Sequence, residues 1–426
     1  MNARARIAVL KPDHGIVGGF ERVVDRVETI LMDAGHEVTR VSVDMAVRAH
    51  AVDDLPVPAE VWNAAPEYFA YVAARTRFDR LDTSRFDMVL STQPPSFSHR
   101  HPRHLALFYH HHRVMYDLLE RYVEAGFAAD PGVHRAAAET VRTLDQPRLE
   151  AVTHFLTPSD AVAARLDRFN SITGTGRFLA GVGVDISVAA GGSAVDTGAA
   201  ANGVATGTGA VLCVGRHEFP KRCELLVAAA HLLDGPEVHI VGTGGRLAFT
   251  RELDRRFASG ELDPATVDDV TLWCNTGRAD SPVGTAALGA GSGGSTGDRH
   301  VRSSPVRFSG WVDDATLNAA YRDAPCVVAP ALDEDYGLTA IEAMAHGRPV
   351  VVCHDGGGLA ELVEHLRTGL VVDPTPTALA EGIRLLTEDR DLAEELGRNG
   401  RLRAAELNWV TAADQLLEGV RTVLDS

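Results

Sequence analysis

The sequence has little lysine. Only two of its 41 basic residues are lysines, Lys11 and Lys221, and the others are arginines. The 58 acidic residues leave a formal net charge of -17. Affinity for nucleic acid depends on a concentrated basic surface, so this charge argues against nucleic acid as a partner. A lysine ammonium is a compact charge that suits phosphate, and arginine does not always replace it. The two remaining lysines are therefore candidates for phosphate contacts.

Cysteine and long apolar runs are scarce too. The five cysteines are an odd number, spread singly over residues 213–353 without a CxxC pair, so we expect reduced thiols and no structural zinc. No stretch approaches the roughly 18–20 apolar residues that span a bilayer. The arginines at the start lead directly into a predicted strand rather than a signal peptide. We expect a cytoplasmic protein, soluble or weakly associated with the inner face of a membrane.

What the chain does have is a repeated alternation of short apolar runs with helical patterns. Such alternation is typical of doubly wound parallel sheets, and 426 residues suit two domains. The fold class is therefore α/β, with two Rossmann-like domains. Amphipathic helices are predicted at 20–34, 379–386, 393–406 and 411–424. Strands are predicted at 6–10, 38–43, 88–91, 105–109, 155–157, 211–214, 237–241, 270–274, 306–308, 326–330, 350–353 and 370–372.

Composition sets the predicted domain boundaries. Residues 189–209 are nearly all Ala, Gly, Thr, Ser and Val, which predicts a flexible linker. Residues 1–188 then form the first domain and residues 210–405 the second. A stretch rich in Gly, Ser, Ala and Thr at 276–300 predicts a disordered insertion within the second domain.

The strongest functional signal is a strand-to-helix turn with two glutamates. Glu334 lies before the predicted helix and Glu342 lies about one turn inside it. Amides at a helix start lack intrahelical partners and attract phosphate or sugar oxygens. Carboxylates suit hydroxyl groups, so the pair fits an extended ligand such as a nucleotide sugar. The alternative is that each glutamate is a surface residue that stabilises the helix dipole.

The stretch Glu334 to Ala345, followed by Gly347, Pro349 and Gly357-Gly358, resembles the signature of the retaining glycosyltransferases of family 4. Further pieces agree in order along nearly the whole chain: Gly18-Gly19-Phe20-Glu21, Pro158-Ser159, Gly215-Arg216 with Lys221, and Gly242-Thr243-Gly244. The resemblance implies the GT-B fold, with two parallel sheets facing an interdomain cleft. It also implies that residues 406–426 form a helix that returns to the first domain.

The resemblance implies transfer of a sugar from a nucleoside-diphosphate-sugar donor to an acceptor with retention of configuration. The donor is a substrate, and neither a cofactor nor a metal ion is expected. Glu334 and either His110 or His111 are the catalytic candidates. The candidate donor contacts are Gly18, Gly19, Arg216, Lys221, Gly242, Val312, Tyr336, Gly337, Leu338 and Glu342.

Within this set, Glu342 is expected on the ribose, Arg216 and Lys221 on the diphosphate, and Glu334 on the sugar. Neighbouring Arg222 is expected to be a solvated surface residue. The histidine run 110–112 also suggests a metal site, but adjacent side chains point in different directions and rarely converge on one ion. Trp311 lies near the expected base or is a half-buried packing residue.

Two other functions remain open. A nucleotide-sugar epimerase of the same fold would need additional paired acid and base residues, and a noncatalytic sugar-binding protein would need none of the catalytic groups. The acceptor, lipid-linked or saccharide, is not readable from the predicted acceptor loops at 46–80 and 96–103. A role in cell-surface polysaccharide or glycolipid assembly is a family-level expectation.

Overall fold

The structure is a computed structural model that describes residues 4–15, 18–46, 50–181, 209–273 and 303–426. These residues form two compact units. The first contains the chain up to Gly181 and returns at Asn408–Ser426, and the second extends to Leu407. The predicted insertion and all of the predicted linker except Gly209 lie outside the described residues.

The first unit contains a six-stranded parallel sheet and a separate two-stranded antiparallel sheet. The order of the large sheet is β2-β1-β5-β6-β7-β8, from β1 (Arg6–Asp13), β2 (Glu37–Asp44), β5 (Met88–Ser91), β6 (His104–Leu107), β7 (His154–Thr157) and β8 (Gly176–Arg177). The small sheet pairs β3 (Ala51–Val52) with β4 (Leu55–Pro56). The helices are α1 (Gly19–Asp33), α2 (Ala59–Ala64), α3 (Pro66–Asp79), α4 (Leu119–Glu124), α5 (Pro131–Leu149) and α6 (Asp160–Asn170).

The second unit is built in the same way. Its parallel sheet has the order β11-β10-β9-β12-β13-β14, from β9 (Val211–Val214), β10 (Val238–Val241), β11 (Val306–Ser309), β12 (Val327–Ala329), β13 (Val350–Cys353) and β14 (Gly369–Val372). Its helices are α7 (Cys223–Ala230), α8 (Leu247–Ala258), α9 (Asp269–Trp273), α10 (Asp314–Asp323), α11 (Leu338–Ala345), α12 (Gly358–Leu362), α13 (Pro376–Glu388) and α14 (Arg390–Glu406).

Burial explains why the strands could be recognised. β5, β6, β10 and β13 are buried at every residue, as expected for parallel strands covered on both faces. Eleven of the twelve predicted strands are confirmed, with ends that shift by a few residues. The four predicted helices are also confirmed, and the last of them is α15 (Trp409–Leu424). This helix packs on β7 and β6 of the first unit.

Two local predictions were wrong. Residues 270–274 were expected to be a strand, but α9 begins there because the Asp268 carboxylate accepts the Thr271 amide at 2.6 Å and starts a helical turn. Residues 46–80 were expected to be acceptor loops, yet they contain α2 and α3. These helices show no clear apolar stripe, and their buried aromatic residues, Trp62, Tyr71 and Phe78, were not readable as a helical face.

No helix in the described part of the chain is long and apolar enough to cross a membrane.

Candidate donor site in the second unit

The candidate site of the second unit lies where its central strands end. β9 and β12 are neighbours in the sheet, so the segments that follow them lie side by side. The segment after β9 contains a 3-10 turn, Phe219–Lys221, and leads into α7. The segment after β12 leads into α11. The amide of Leu332 donates to the carbonyl of Pro220 at 2.7 Å and joins the two segments.

This arrangement brings Lys221 and Glu334 together. The Lys221 ammonium lies 2.5 Å from Oε2 of Glu334, although the residues are 113 positions apart. Both side chains keep some exposure, 31% for Lys221 and 19% for Glu334. A cation suited to phosphate and a carboxylate suited to hydroxyl groups therefore meet at one accessible place.

Glu334 is held by its backbone. Its amide donates to the carbonyl of Gly356 at 2.9 Å, and its own carbonyl accepts the amide of Gly358 at 2.8 Å. The preceding residue, Asp333, donates its amide to the carbonyl of Asp355 at 2.8 Å. The loop that follows β13 thus fixes the position of the glutamate.

The expectation for Arg222 was wrong. Its side chain is buried, and its guanidinium binds the Asp355 carboxylate through two hydrogen bonds of 2.8 and 2.6 Å. The same group donates to the carbonyls of Pro330 at 2.6 Å and Ala331 at 3.1 Å. Arg222 therefore joins the segments after β9, β12 and β13. The planar guanidinium has enough donors for all four bonds, including the pair to one carboxylate, whereas a lysine ammonium has only three.

Two predicted glycines are needed for close approach of the backbone. A Cβ on Gly242, which has φ +143°, would lie 2.0 Å from the carbonyl oxygen of Gly215. Gly337 caps α11 with φ +105°, and a Cβ there would lie 2.7 Å from Cδ1 of Leu359. Side chains at either position would push apart the segments that form the site.

The structure places the other predicted donor contacts as follows. Glu342 lies on α11, where its Oε2 accepts the hydroxyl of Tyr321 at 2.8 Å. Burial raises the pKa of Tyr321 well above its ordinary value, so the hydroxyl stays a donor. Tyr336 is buried and Leu338 is partly buried as the first residue of α11. Nothing in the sequence indicates that Tyr321 binds Glu342.

Arg216 and Val312 follow two strands of the same sheet, β9 and β11. Arg216 is exposed two residues after β9, and Val312 is partly buried three residues after β11. Trp311 is 78% exposed, so the half-buried packing role that was one alternative for it is wrong.

In the first unit, Gly18 and Gly19 stand at the start of α1. The Gly18 amide donates to Oε2 of Glu21 at 2.9 Å, which satisfies one of the amides at the start of the helix. The other oxygen of Glu21 lies 3.4 Å from the buried Lys11 ammonium. Glu21 therefore has a structural role that includes both capping and charge pairing.

The three consecutive histidines differ in environment. His111 is buried, and its Nε2 lies 2.7 Å from Oδ1 of Asn170. Burial lowers the pKa of His111 and of His112 to about 4, so both rings are neutral at pH 7. His110 is partly exposed. Of the two catalytic candidates, His110 is therefore the accessible one, whereas His111 is buried in the core.

Within the described ranges, no three His, Cys, Asp or Glu side chains are grouped so that they could hold a metal ion.

Comparison with known proteins agrees with this architecture. Residues 303–403 match the family model described as "Glycosyl transferases group 1". This part of the chain is therefore similar to the group 1 glycosyltransferases. The matched residues include Glu334, Glu342 and the turn between them, as well as α12.

Curated relatives match over part of their length. A D-inositol 3-phosphate glycosyltransferase of Jonesia denitrificans is 31% identical over 223 residues, which cover 44% of this chain and 52% of that protein. A protein of the same name from Pseudarthrobacter chlorophenolicus is 37% identical over 110 residues, 26% of each chain. The alignments thus span about half of the first relative and about a quarter of the second.

Solved structures show the same fold over nearly the whole chain. A sucrose-phosphate synthase from Thermosynechococcus elongatus superposes with a TM-score of 0.62 at 21% identity and covers 98% of both chains. The Anabaena protein HepE, solved in complex with UDP and glucose, gives a TM-score of 0.57 at 16% identity, with 97% of this chain and 99% of that chain covered. These likenesses and the two parallel sheets show the GT-B fold.

Proposed function

We propose that this protein is a retaining glycosyltransferase that moves a sugar from a nucleoside-diphosphate-sugar donor to an acceptor. The observation that carries the proposal is the meeting of Lys221 and Glu334 at the carboxyl ends of β9 and β12. This contact joins a cation that can bind phosphate to a carboxylate that can bind sugar hydroxyls. The match of residues 303–403 to the group 1 glycosyltransferases supports the same activity.

In the proposed complex the second unit binds the donor. Lys221 and the exposed Arg216 contact the diphosphate, and Glu342 contacts the ribose hydroxyls. Glu334 and the backbone at Tyr336, Gly337 and Leu338 contact the sugar. The Anabaena relative of the same fold was solved with UDP-glucose, which is a ligand of the proposed class.

The chemical step needs stabilisation of the leaving group. When the bond between the sugar and the diphosphate breaks, negative charge grows on the phosphate oxygens. Fixed cations placed before the reaction stabilise that charge without reorganisation. We assign this task to Lys221, held in place by its contact with Glu334. The acceptor hydroxyl would approach from the face that the diphosphate leaves, and the diphosphate would take its proton.

The proposal includes independence from metal ions, with a lipid-linked or saccharide acceptor used in cell-surface polysaccharide or glycolipid assembly. The D-inositol 3-phosphate glycosyltransferases among the relatives suggest a polyol or its phosphate as an additional acceptor class to test.

The test is a transfer reaction on the full chain. UDP-, GDP- and ADP-linked hexoses are each incubated with inositol, inositol phosphate and simple glycosides, and released nucleoside diphosphate is measured with and without EDTA. Proton NMR of the product gives the anomeric configuration. We expect acceptor-dependent release with one nucleotide class, a retained configuration and no effect of EDTA.

Lys221→Ala should lower turnover by at least about a hundredfold, an effect of the size that electrostatic stabilisation of a transition state produces. Arg255→Ala is the control, because Arg255 is an exposed residue of α8 paired with Glu252. Interconversion of the sugar without nucleotide release would indicate the epimerase. An inverted product, or equal turnover in Lys221→Ala and the control, would contradict the proposal.

A further inference from the structure

The segment that carries the three histidines is held from one face of α5. The His134 ring donates from Nε2 to the carbonyl of Val114 at 3.0 Å. Arg142 donates from Nε to the carbonyl of Met115 at 2.8 Å and from Nη2 to that of Tyr116 at 3.1 Å. Residues eight positions apart on a helix lie on the same side. The backbone just after the histidines is therefore fixed by α5.

Asp145 stands at the centre of this face. Its side chain is buried, and Oδ2 accepts the hydroxyls of Tyr71 at 2.7 Å and of Tyr116 at 3.1 Å. On α3, Arg75 places its Nε 3.7 Å from Oδ1 of Asp145, and Asp79 lies on the other side of Arg75. One buried carboxylate thus joins α3, α5 and the histidine segment.

The two tyrosines stack on His111 and His112. The rings of Tyr116 and His111 lie 4.1 Å apart with an interplanar angle of 17°. The rings of Tyr71 and His112 lie 4.9 Å apart at 21°. Because both tyrosines are bound to Asp145, the orientation of each imidazole depends on that carboxylate.

This arrangement determines what His110 presents. Its Nδ1 lies 2.7 Å from the carbonyl oxygen of His111. A carbonyl only accepts, so Nδ1 carries the proton and Nε2 of the neutral ring holds a lone pair. The carbonyl belongs to His111, whose ring is held by Tyr116. The direction of the His110 lone pair is therefore coupled to the tyrosine and histidine stacks.

We propose that Asp145 is a positioning residue that, through Tyr71 and Tyr116, fixes the histidine segment so that His110 presents Nε2 as a hydrogen-bond acceptor to a hydroxyl group of the sugar substrate. That this hydroxyl belongs to a sugar rests on the proposed function. The positioning itself does not depend on it.

The first test does not need activity. Folded protein is treated with diethyl pyrocarbonate, which acylates neutral accessible imidazoles, and the modification of each histidine is measured by tandem mass spectrometry. In the wild type we expect rapid modification of His110 and protection of His111 and His112. In Asp145→Ala we expect the modification rates of His111 and His112 to rise at least tenfold.

His104 is the internal control. It is buried on β6, where its Nε2 lies 2.7 Å from Oγ of Ser91, and it has no contact with Asp145. If His104 gains reactivity as much as His111 and His112, the unit has opened as a whole and the positioning claim fails. It fails too if His111 and His112 stay protected. Should Asp145→Ala not fold, the Tyr71→Phe/Tyr116→Phe variant, which keeps both rings and loses both hydroxyls, gives the same comparison.

The second test is a double-mutant cycle on turnover. If Asp145 acts through His110, Asp145→Asn should lower kcat at least fivefold in the wild type and have no further effect in His110→Ala. Equal effects in both backgrounds would overturn the coupling. A wild type that is inactive with every donor would count against the proposed function, and the modification experiment would still decide the positioning.

Discussion

Arg222, which sequence patterns placed on the surface, is buried, so its replacement should destabilise the second unit. Replacement by alanine removes four hydrogen bonds and leaves the Asp355 carboxylate without its cation. Loss of one partner of a buried ion pair costs about 3–5 kcal/mol. The Asp355 side chain is 28% exposed, so water recovers part of this loss and about 2–3 kcal/mol is expected.

The backbone adds nothing to this value. Arg222 already has a left-handed φ of 50°, and alanine would pay the same strain. For a unit of this size, 1 kcal/mol corresponds to a change in Tm of about 2–4 °C, so we expect a drop of roughly 5–10 °C. Arg222→Lys, which keeps the charge but not the fork of donors, should lie between alanine and the wild type.

The assay is thermal unfolding of the full chain, followed by intrinsic fluorescence, to which Trp273, 5.8 Å from the Arg222 guanidinium, contributes together with the other tryptophans. Arg255→Ala is the matched control, because the side chain of Arg255 is 58% exposed and its ion pair should contribute less than about 1 kcal/mol. If both variants melt within about 1 °C of each other, Arg222 is a solvated surface residue and the reasoning is refuted.

Three further predictions concern the two units separately. Gly242→Ala should destabilise the second unit by more than about 2 kcal/mol in urea titrations. The control is Gly235→Ala, which has a similar φ of +133° but no atom within 4 Å of the added Cβ and should cost about 1 kcal/mol. Equal costs would show that the close approach to Gly215 is unimportant. Glu21→Ala should lower the Tm of the first unit by the equivalent of about 1 kcal/mol through loss of the hydrogen bond from the Gly18 amide, and an unchanged Tm would contradict that role. Burial raises the pKa of Asp145 from 3.8 to about 6, so folding is penalised when the carboxylate ionises. Stability of Asp145→Asn relative to the wild type should therefore rise between about pH 4 and 6, by at most about 3 kcal/mol, and a difference independent of pH would rule out the titration.

The fold was largely predictable because buried parallel strands produce unbroken apolar runs. Val350–Cys353 and Val211–Val214 are recognisable from the sequence for this reason. α9 was missed because its start depends on one local contact, from Asp268 to Thr271, and its apolar residues fit a strand equally well. α2 and α3 were missed because burial there involves scattered aromatic residues rather than a regular stripe.

Site residues could be predicted only where a charged residue stands at a recognisable strand-to-helix turn. Glu334 and Lys221 were both selected, but their mutual contact is a tertiary feature that no local pattern reports. Arg222 was misjudged because neither its left-handed φ nor the Asp355 partner 133 positions away leaves a signal near it. Likewise, the sequence left His110 and His111 as alternatives, since only burial by Tyr116 and Asn170 separates them.

On the proposed function, the second unit binds a nucleoside diphosphate through Lys221 and Glu342. Isothermal titration calorimetry of the full chain with UDP, GDP and ADP measures this binding without any acceptor. We predict saturable binding of one nucleotide, weakened at least tenfold by Lys221→Ala and by Glu342→Ala and unchanged by Arg255→Ala. Absence of binding by folded wild-type protein, or equal affinity in all three variants, would contradict the account.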